Sequence, residues 1–386
     1  MGLGEKKNKK HKDIGGVVSF ILCIIVGAIF GYTGVEVFDK SMAISDSLGV
    51  KIVILIAVLI SFFIAVYIQI IVHEGGHYVF GKLTGYKFSS FRIGSIMFIR
   101  ENGRVTRKKF TIAGTGGQCL MSPPEYKDDS YPYILYNLGG SIANIFFGIL
   151  CWGLYKVVPN VPVLSTFLYA LCAIGLLFAV INGVPMKTAG IANDGYNIIS
   201  MTKDSEARKA FWIQLQVNAV QTSGIRLRDM PEQWFRWPEE SKIKNPLIGG
   251  VAVFCCNYYH DIHDFKKARE LTAYLLEKDL GLLEIYKNEL RCELLFYEIM
   301  GECRMEIIKG LYTKQLQKYI KITSSYVSRK RLLYAYELLV TKNQQEVDRV
   351  LTDFEVVAKT YPYKPEIEGE RELLEMINMK SLERMI

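Results

Sequence analysis

Histidine is scarce in this chain, with five among 386 residues, and cysteine never occurs as a C-x-x-C pair. The eight cysteines are scattered, several of them inside apolar runs. That pattern excludes a disulfide framework or a cysteine metal site and points to reduced, buried thiols. No phosphate-loop spacing occurs; "GTGGQCLMSPP" (114–124) is glycine-rich but reads as a flexible re-entrant or gating loop. Nucleic-acid motifs are also lacking. The net charge of +8 therefore has another source, the lysines and arginines that flank long apolar stretches.

Those stretches are what the sequence has in abundance. Half of the residues are hydrophobic, and four runs of about twenty residues carry few or no charges, at about 14–34, 52–73, 133–155 and 163–184. Each is long enough to cross a bilayer. After about residue 200 the composition turns mixed and charged, so the expected organisation is a basic tail (1–13), a membrane-embedded domain (14–200) and a cytosolic domain (201–386). No small-x-small cleavage site follows the first run, which therefore reads as an uncleaved anchor. Lys6, Lys7, Lys9, Lys10 and Lys12 put the N-terminus in the cytoplasm, and the basic stretch 85–110, with Glu101 as its one acid, returns to that side. The reading is a multi-pass protein of the cell membrane with both termini cytoplasmic.

The second run ends in "IVHEGGH" (71–77), where polar groups are costly for a membrane helix to carry. H-E-x-x-H on a helix sets His73 and His77 one turn apart on one face. There two imidazoles can hold one Zn²⁺, with Glu74 alongside to take a proton from water. A polar helix end snorkelling to the interface is the bland alternative. Gly75 and Gly76 weaken the helix by about 1 kcal/mol each relative to alanine, which suggests a close approach of another backbone or of a substrate. A catalytic zinc needs a third protein ligand, and "INGVPMKTAGIANDGYN" (181–197) offers one. Pro185 ends the fourth apolar run and Asp194-Gly195 follows in a small-residue loop, although an aspartate there also reads as an ordinary turn residue. Asn193 competes with Asp194 for the same point, but its neutral amide is the poorer ligand, so Asn193→Ala is expected to spare the metal.

These residues together resemble the site-2 protease family of intramembrane zinc metalloproteases. The resemblance rests on the H-E-x-G-H at the end of one span, "NLGGSIANI" (137–145) in the next, and Asn-x-x-Pro ahead of Asp-Gly after another. It implies zinc ligands His73, His77 and Asp194, a general base Glu74, an Asn-x-x-Pro element formed by Asn182 and Pro185, and a substrate or transition-state contact at Asn144. The sequence departs from the family pattern twice. Gly139-Gly140 stands where the family has Gly-Pro, and the interval from Pro185 to Asp194 is about four residues longer. The resemblance covers about 52–200, shows no PDZ insertion and leaves the tail unexplained.

"SSFRIGSIMFIRENGRVTRKKFTIAG" is β-branched and aromatic around Asn102-Gly103, which signals a membrane-proximal β-hairpin whose edge could take up an extended peptide. The tail has i, i+3, i+4 apolar spacing in "DFKKARELTAYLLEKD", "EIYKNELRCELLFYEIM" and the stretch 331–362, a pattern expected of an α-solenoid or tetratricopeptide-like array. "HDIHD" reads as a solvated helix end, and "WFRWPEE" (234–240) as a membrane-interface anchor or a packed linker. The fold class expected is mainly α, a helix bundle of about four spans with a short β-hairpin and a helical cytosolic domain. The function expected is zinc-dependent hydrolysis of a peptide bond in or beside a transmembrane segment. Its partners would be a membrane-protein or membrane-peptide substrate, the lipid bilayer and a protein bound by the helical tail, with no nucleic acid. A non-catalytic membrane scaffold and a prenyl-peptide-type membrane zinc protease, whose third ligand would be a glutamate on a later helix, are the competing readings.

Overall fold

A computed structural model describes residues 14–384 except 102, 113–114, 159–160, 189–190 and 279. The basic tail 1–13, Asn102 of the Asn-Gly turn, and Ala189 and Gly190 of the 181–197 loop lie outside the described residues. The chain divides into two compact units, one of residues 1–76 with 140–199 and the other of 77–139 with 200–386.

The first unit is built from helices α1 (Ile14–Met42), α2 (Leu48–Leu83, to Gly76 in this unit), α3 (Ile134–Val157, from Gly140) and α4 (Pro162–Gly183). All four are long and apolar enough to cross a membrane. Pro162 in the first turn of α4 costs no hydrogen bond, because the N–H groups there have no intrahelical partner. Polar side chains tie α1 to α4. The Tyr169 hydroxyl donates to the Phe30 carbonyl at 2.7 Å, and Ser41 and Thr166 share a 2.7 Å hydrogen bond. Ala65, Cys151, Leu168, Leu171, Cys172 and Ile174 form the unit's core. Outward-facing Phe20, Val53, Leu59 and Phe63 remain exposed, as lipid-facing side chains would be. The apolar run marked its span at 52–73, but α2 continues unbroken through Gly75 and Gly76 to Leu83. At 36 residues it is about 54 Å long, well beyond a hydrocarbon core of about 30 Å. The helix boundary and the end of the apolar run therefore differ, and His73 and His77 sit on regular helix.

In the second unit a four-stranded antiparallel sheet has the order β3-β2-β1-β4, with β1 Lys87–Ile93, β2 Ile96–Glu101, β3 Arg104–Lys109 and β4 Gly117–Ser122. The expected hairpin is the β2–β3 pair, and Gly103 just ahead of β3 has φ +78°. The sheet is larger than that, because the segment 114–124, expected to be a flexible re-entrant or gating loop, contributes β4. Within it Cys119 and Met121 alternate inward and are buried, while Phe91 pairs with Cys119 across the ladder. Period-2 alternation outweighs the glycines there.

The sheet shares a core with the tail, where Met97, Ile99 and Phe110 pack among Leu295, Phe296, Leu332 and Phe354. The tail helices are α6 (Ser205–Thr222), α7 (Pro246–Asp261), α8 (Phe265–Glu277), α9 (Glu284–Met300), α10 (Met305–Leu311), α11 (Lys314–Ile322), α12 (Val327–Tyr336), α13 (Gln344–Thr360) and α14 (Lys364–Glu383); α5 (Asp194–Lys203) precedes them. Asp204, Asn245, Asp264, Thr313 and Asn343 cap five of these through side-chain acceptors to N-terminal N–H groups. The periodic stretch 331–362 is interrupted at Lys342, which has φ +57°, before Asn343 caps the next helix. "WFRWPEE" is packed linker rather than exposed anchor. Phe235 stacks on Tyr258 at 4.7 Å, Trp234 meets Trp212 edge-on, and Trp237 meets Tyr274. "HDIHD" is not a solvated end either, since Asp261 pairs with Arg226 at 2.6 Å and His260 Nδ1 lies 2.9 Å from the Tyr297 hydroxyl. None of the eight cysteines is joined in a disulfide, and six of them are buried.

Candidate metal centre

Helix α2 presents His73, Glu74 and His77 within little more than one turn, and all three are buried. Each imidazole is held by a partner that can only accept. His73 Nδ1 lies 2.8 Å from the Asn144 amide oxygen, and His77 Nδ1 lies 2.7 Å from the Tyr136 carbonyl oxygen. Both Nδ1 atoms must therefore carry the proton and donate, which leaves the Nε2 lone pairs to bind a cation.

The Asn144 amide is oriented in turn. Its nitrogen donates to the Gln69 carbonyl at 3.0 Å and to Gln69 Oε1 at 2.7 Å, and Gln69 Nε2 donates to the Leu171 carbonyl at 2.6 Å. Gln69 precedes His73 by one turn on the same face and is completely buried. Sequence reading missed it. The signal was a single amide in an otherwise apolar run, four residues before a candidate ligand. Gly175 makes room for this network, because a Cβ there would lie 2.7 Å from Gln69 Nε2. Gln69→Leu is expected to leave the helices intact, free Asn144 to turn, and weaken metal binding by about 10–100-fold. Metal titration against a competing chelator would show it, and unchanged affinity would mean that Asn144 needs no such support.

The third group comes from the far end of α4. Val184 ends that helix and Pro185 follows. A two-stranded ribbon, β5 (Lys187–Thr188) with β6 (Ile191–Ala192), turns the chain back so that α5 starts at Asp194. The aspartate is thus in the first turn of a helix rather than in an open turn. Gly195 is needed there, since a Cβ would lie 2.2 Å from the Gly183 carbonyl oxygen. Asn193 fixes the same junction. Its nitrogen donates to the Ile181 and Val184 carbonyls at 2.6 Å each, and its oxygen accepts from the Met186 and Tyr196 amides. An amide so fully occupied has no lone pair left for a metal, but it positions the neighbouring candidate, Asp194. Asn193→Ala is therefore no longer expected to spare the metal, because Asp194 would lose its anchor.

Asp194 Oδ2 lies 3.3 Å from His73 Nε2. Two ligand atoms about 2.0 Å from a common centre at the tetrahedral angle are separated by about 3.3 Å, so this spacing suits one zinc. His77 follows one turn later on the same unbroken helix, and the three ligand atoms lie within 4.8 Å of one another. Among the described residues no other histidine, cysteine and carboxylate grouping meets that condition. Gly140 completes the fit, since a Cβ there would sit 2.4–2.6 Å from three atoms of the His73 ring. The second glycine of Gly139-Gly140, where the resembled family has proline, is thus the floor on which the imidazole lies.

Two of the expected elements, Gly75 and Asn182, take specific forms in the structure. Gly75 has open space around its Cβ position rather than a close neighbour. On the same helix, a Cβ added at Gly81 would lie 2.6 Å from Met121 Sδ. Asn182 returns its amide to the Phe178 carbonyl at 3.0 Å within α4. Tyr136, which sequence reading also missed, supplies the His77 carbonyl, stacks on Tyr86 at 4.5 Å and donates its hydroxyl to the Cys119 carbonyl of β4 at 2.9 Å.

The family model for peptidase family M50, the site-2 protease family of membrane zinc metalloproteases, matches residues 61–220. That stretch contains α2 from its middle onward, the sheet, α3, α4, the Asp194 junction and α5. Neither the curated proteins nor the solved structures gave a match to the chain.

Proposed function

We propose that residues 14–200 form an intramembrane zinc metallopeptidase that hydrolyses a peptide bond within or next to a transmembrane segment of a membrane protein or membrane-peptide precursor. The observation that carries this reading is the grouping of two buried imidazoles and a carboxylate at zinc-like spacing on and beside a membrane-length helix. Zinc, when bound by His73, His77 and Asp194, supplies Lewis acidity toward water and the scissile carbonyl. Glu74 takes the proton of the attacking water and returns it to the leaving amine. Asn144 and the Tyr136 carbonyl keep the imidazoles in one tautomer and one orientation, so no reorganisation is needed during turnover.

A helical substrate hides its scissile carbonyls in its own hydrogen bonds, and unwinding it in lipid leaves them without partners. An outer strand of the sheet, such as the largely exposed β3, would compensate by pairing with the extended segment. The basic flanks of the spans favour a multi-pass orientation in the cell membrane with both termini cytoplasmic. The tail would then serve as a cytoplasmic, solenoid-like helical array for protein binding. The test is cleavage of a single-span substrate in proteoliposomes by the wild type but not by Glu74→Gln. Equal cleavage by both would reject the reading.

A further inference from the structure

The second unit contains a cavity of about 400 Å³, walled by β4 and by helices α6, α7, α9 and α14. Its volume falls in the range of sites that accept small ligands, roughly 300–1,000 Å³. Three kinds of chemistry meet in its wall. The carboxamides of Gln118, Gln221 and Asn257 line it, and none of the three has a side-chain hydrogen-bond partner among the described residues. Each offers a donor and an acceptor, the complement of a peptide group. Phe110, Tyr286 and Tyr326 add aromatic surface.

The third element is a carboxyl group with no cation beside it. Most acids in the wall are already paired: Asp261 with Arg226 at 2.6 Å, Glu293 and Glu370 with Arg331 at 2.8 Å, and Glu289 with Arg329. Glu366 accepts a 2.6 Å hydrogen bond from the Tyr361 hydroxyl and makes no ion pair among the described residues. Burial, reinforced by the neighbouring Glu370, Glu289 and Asp261, pushes it up to about 7. An arriving cation would relieve that cost. An anionic ligand is disfavoured by the same carboxylates. A bare metal ion is disfavoured because these acids do not converge to ligand spacing.

We propose that this cavity binds a short peptide segment carrying a lysine or arginine, whose cationic end pairs with Glu366 and whose backbone amides pair with Gln118, Gln221 and Asn257. The proposal goes beyond the peptidase reading and does not depend on it, because every residue used belongs to the second unit.

The experiment uses the full chain in detergent micelles and equilibrium dialysis read by mass spectrometry. The probes are pools of acetylated tripeptide amides with lysine fixed at the centre, matched pools with norleucine there, and spermidine. Retention of lysine peptides is expected, with affinity about tenfold or more above that of their norleucine counterparts, and a comparable loss in Glu366→Gln at unchanged zinc content. Equal retention of the two pools, or of lysine peptides by wild type and a folded Glu366→Gln, would overturn the proposal. Displacement of the peptides by equimolar spermidine would overturn the peptide assignment. The comparison of pools on the wild type decides the matter even if the variant fails to fold.

Discussion

Glu74→Gln is expected to keep its zinc and to lose about 10²–10⁴-fold in turnover, the usual contribution of a positioned general base. The amide has the shape of the carboxyl group but cannot accept a proton from water. His73 is held by Asn144 and His77 by the Tyr136 carbonyl, so each imidazole keeps an anchor when Glu74 is replaced. Metal content and turnover should therefore separate. Turnover would be measured in proteoliposomes under single-turnover conditions, beside zinc per chain on the same preparation. A variant that cleaves at near wild-type rate would remove Glu74 from the mechanism. One that loses both zinc and activity would make it a structural residue.

The second large effect is expected from a single methyl group. In Gly140→Ala the new Cβ would overlap the His73 ring at 2.4–2.6 Å, far inside van der Waals contact, so the imidazole must move. Displacing a metal ligand by about 1 Å can cost on the order of 10²-fold in rate, and zinc affinity should fall with it. Loss of fold is not the expected cause, because alanine favours a helix over glycine by about 1 kcal/mol. Gly153 on the same helix provides the control, since a Cβ there meets nothing within 4 Å. Gly153→Ala should be silent. Equal activity of the two variants would mean that the His73 ring does not occupy the position described.

The parts of this molecule that could be read from sequence have strong local signatures. The four membrane-length helices follow from apolar length alone, and His73, Glu74 and His77 from a motif whose spacing is the helix repeat itself. Residues 284–300 show the tail's periodicity so clearly that the expected and observed limits of α9 coincide. The strand β4 was hidden because its glycines signal loop, while its burial is decided by partners distant in sequence, β1 and α6. Gln69 and Tyr136, and the role of Gly140 against His73, were missed for a related reason. Their roles arise from packing between helices, and Tyr136 acts through a backbone carbonyl that any residue could supply. Asp194 was legible as a candidate in a small-residue loop, where a turn aspartate was a competing reading, and the resembled family's pattern favoured the ligand. The ribbon β5–β6 and the Asn193 clamp that bring it back to His73 have no recognisable local pattern.

The central claim is a zinc held by His73, His77 and Asp194, and X-ray absorption at the zinc edge on the purified full chain tests it most directly. The account predicts one zinc per chain with two imidazole nitrogens and carboxylate or water oxygens at about 2.0–2.2 Å, and loss of that signal in Asp194→Ala. A wild-type chain that takes up no zinc, or an Asp194→Ala chain that binds it with the same affinity and the same first shell, would contradict it.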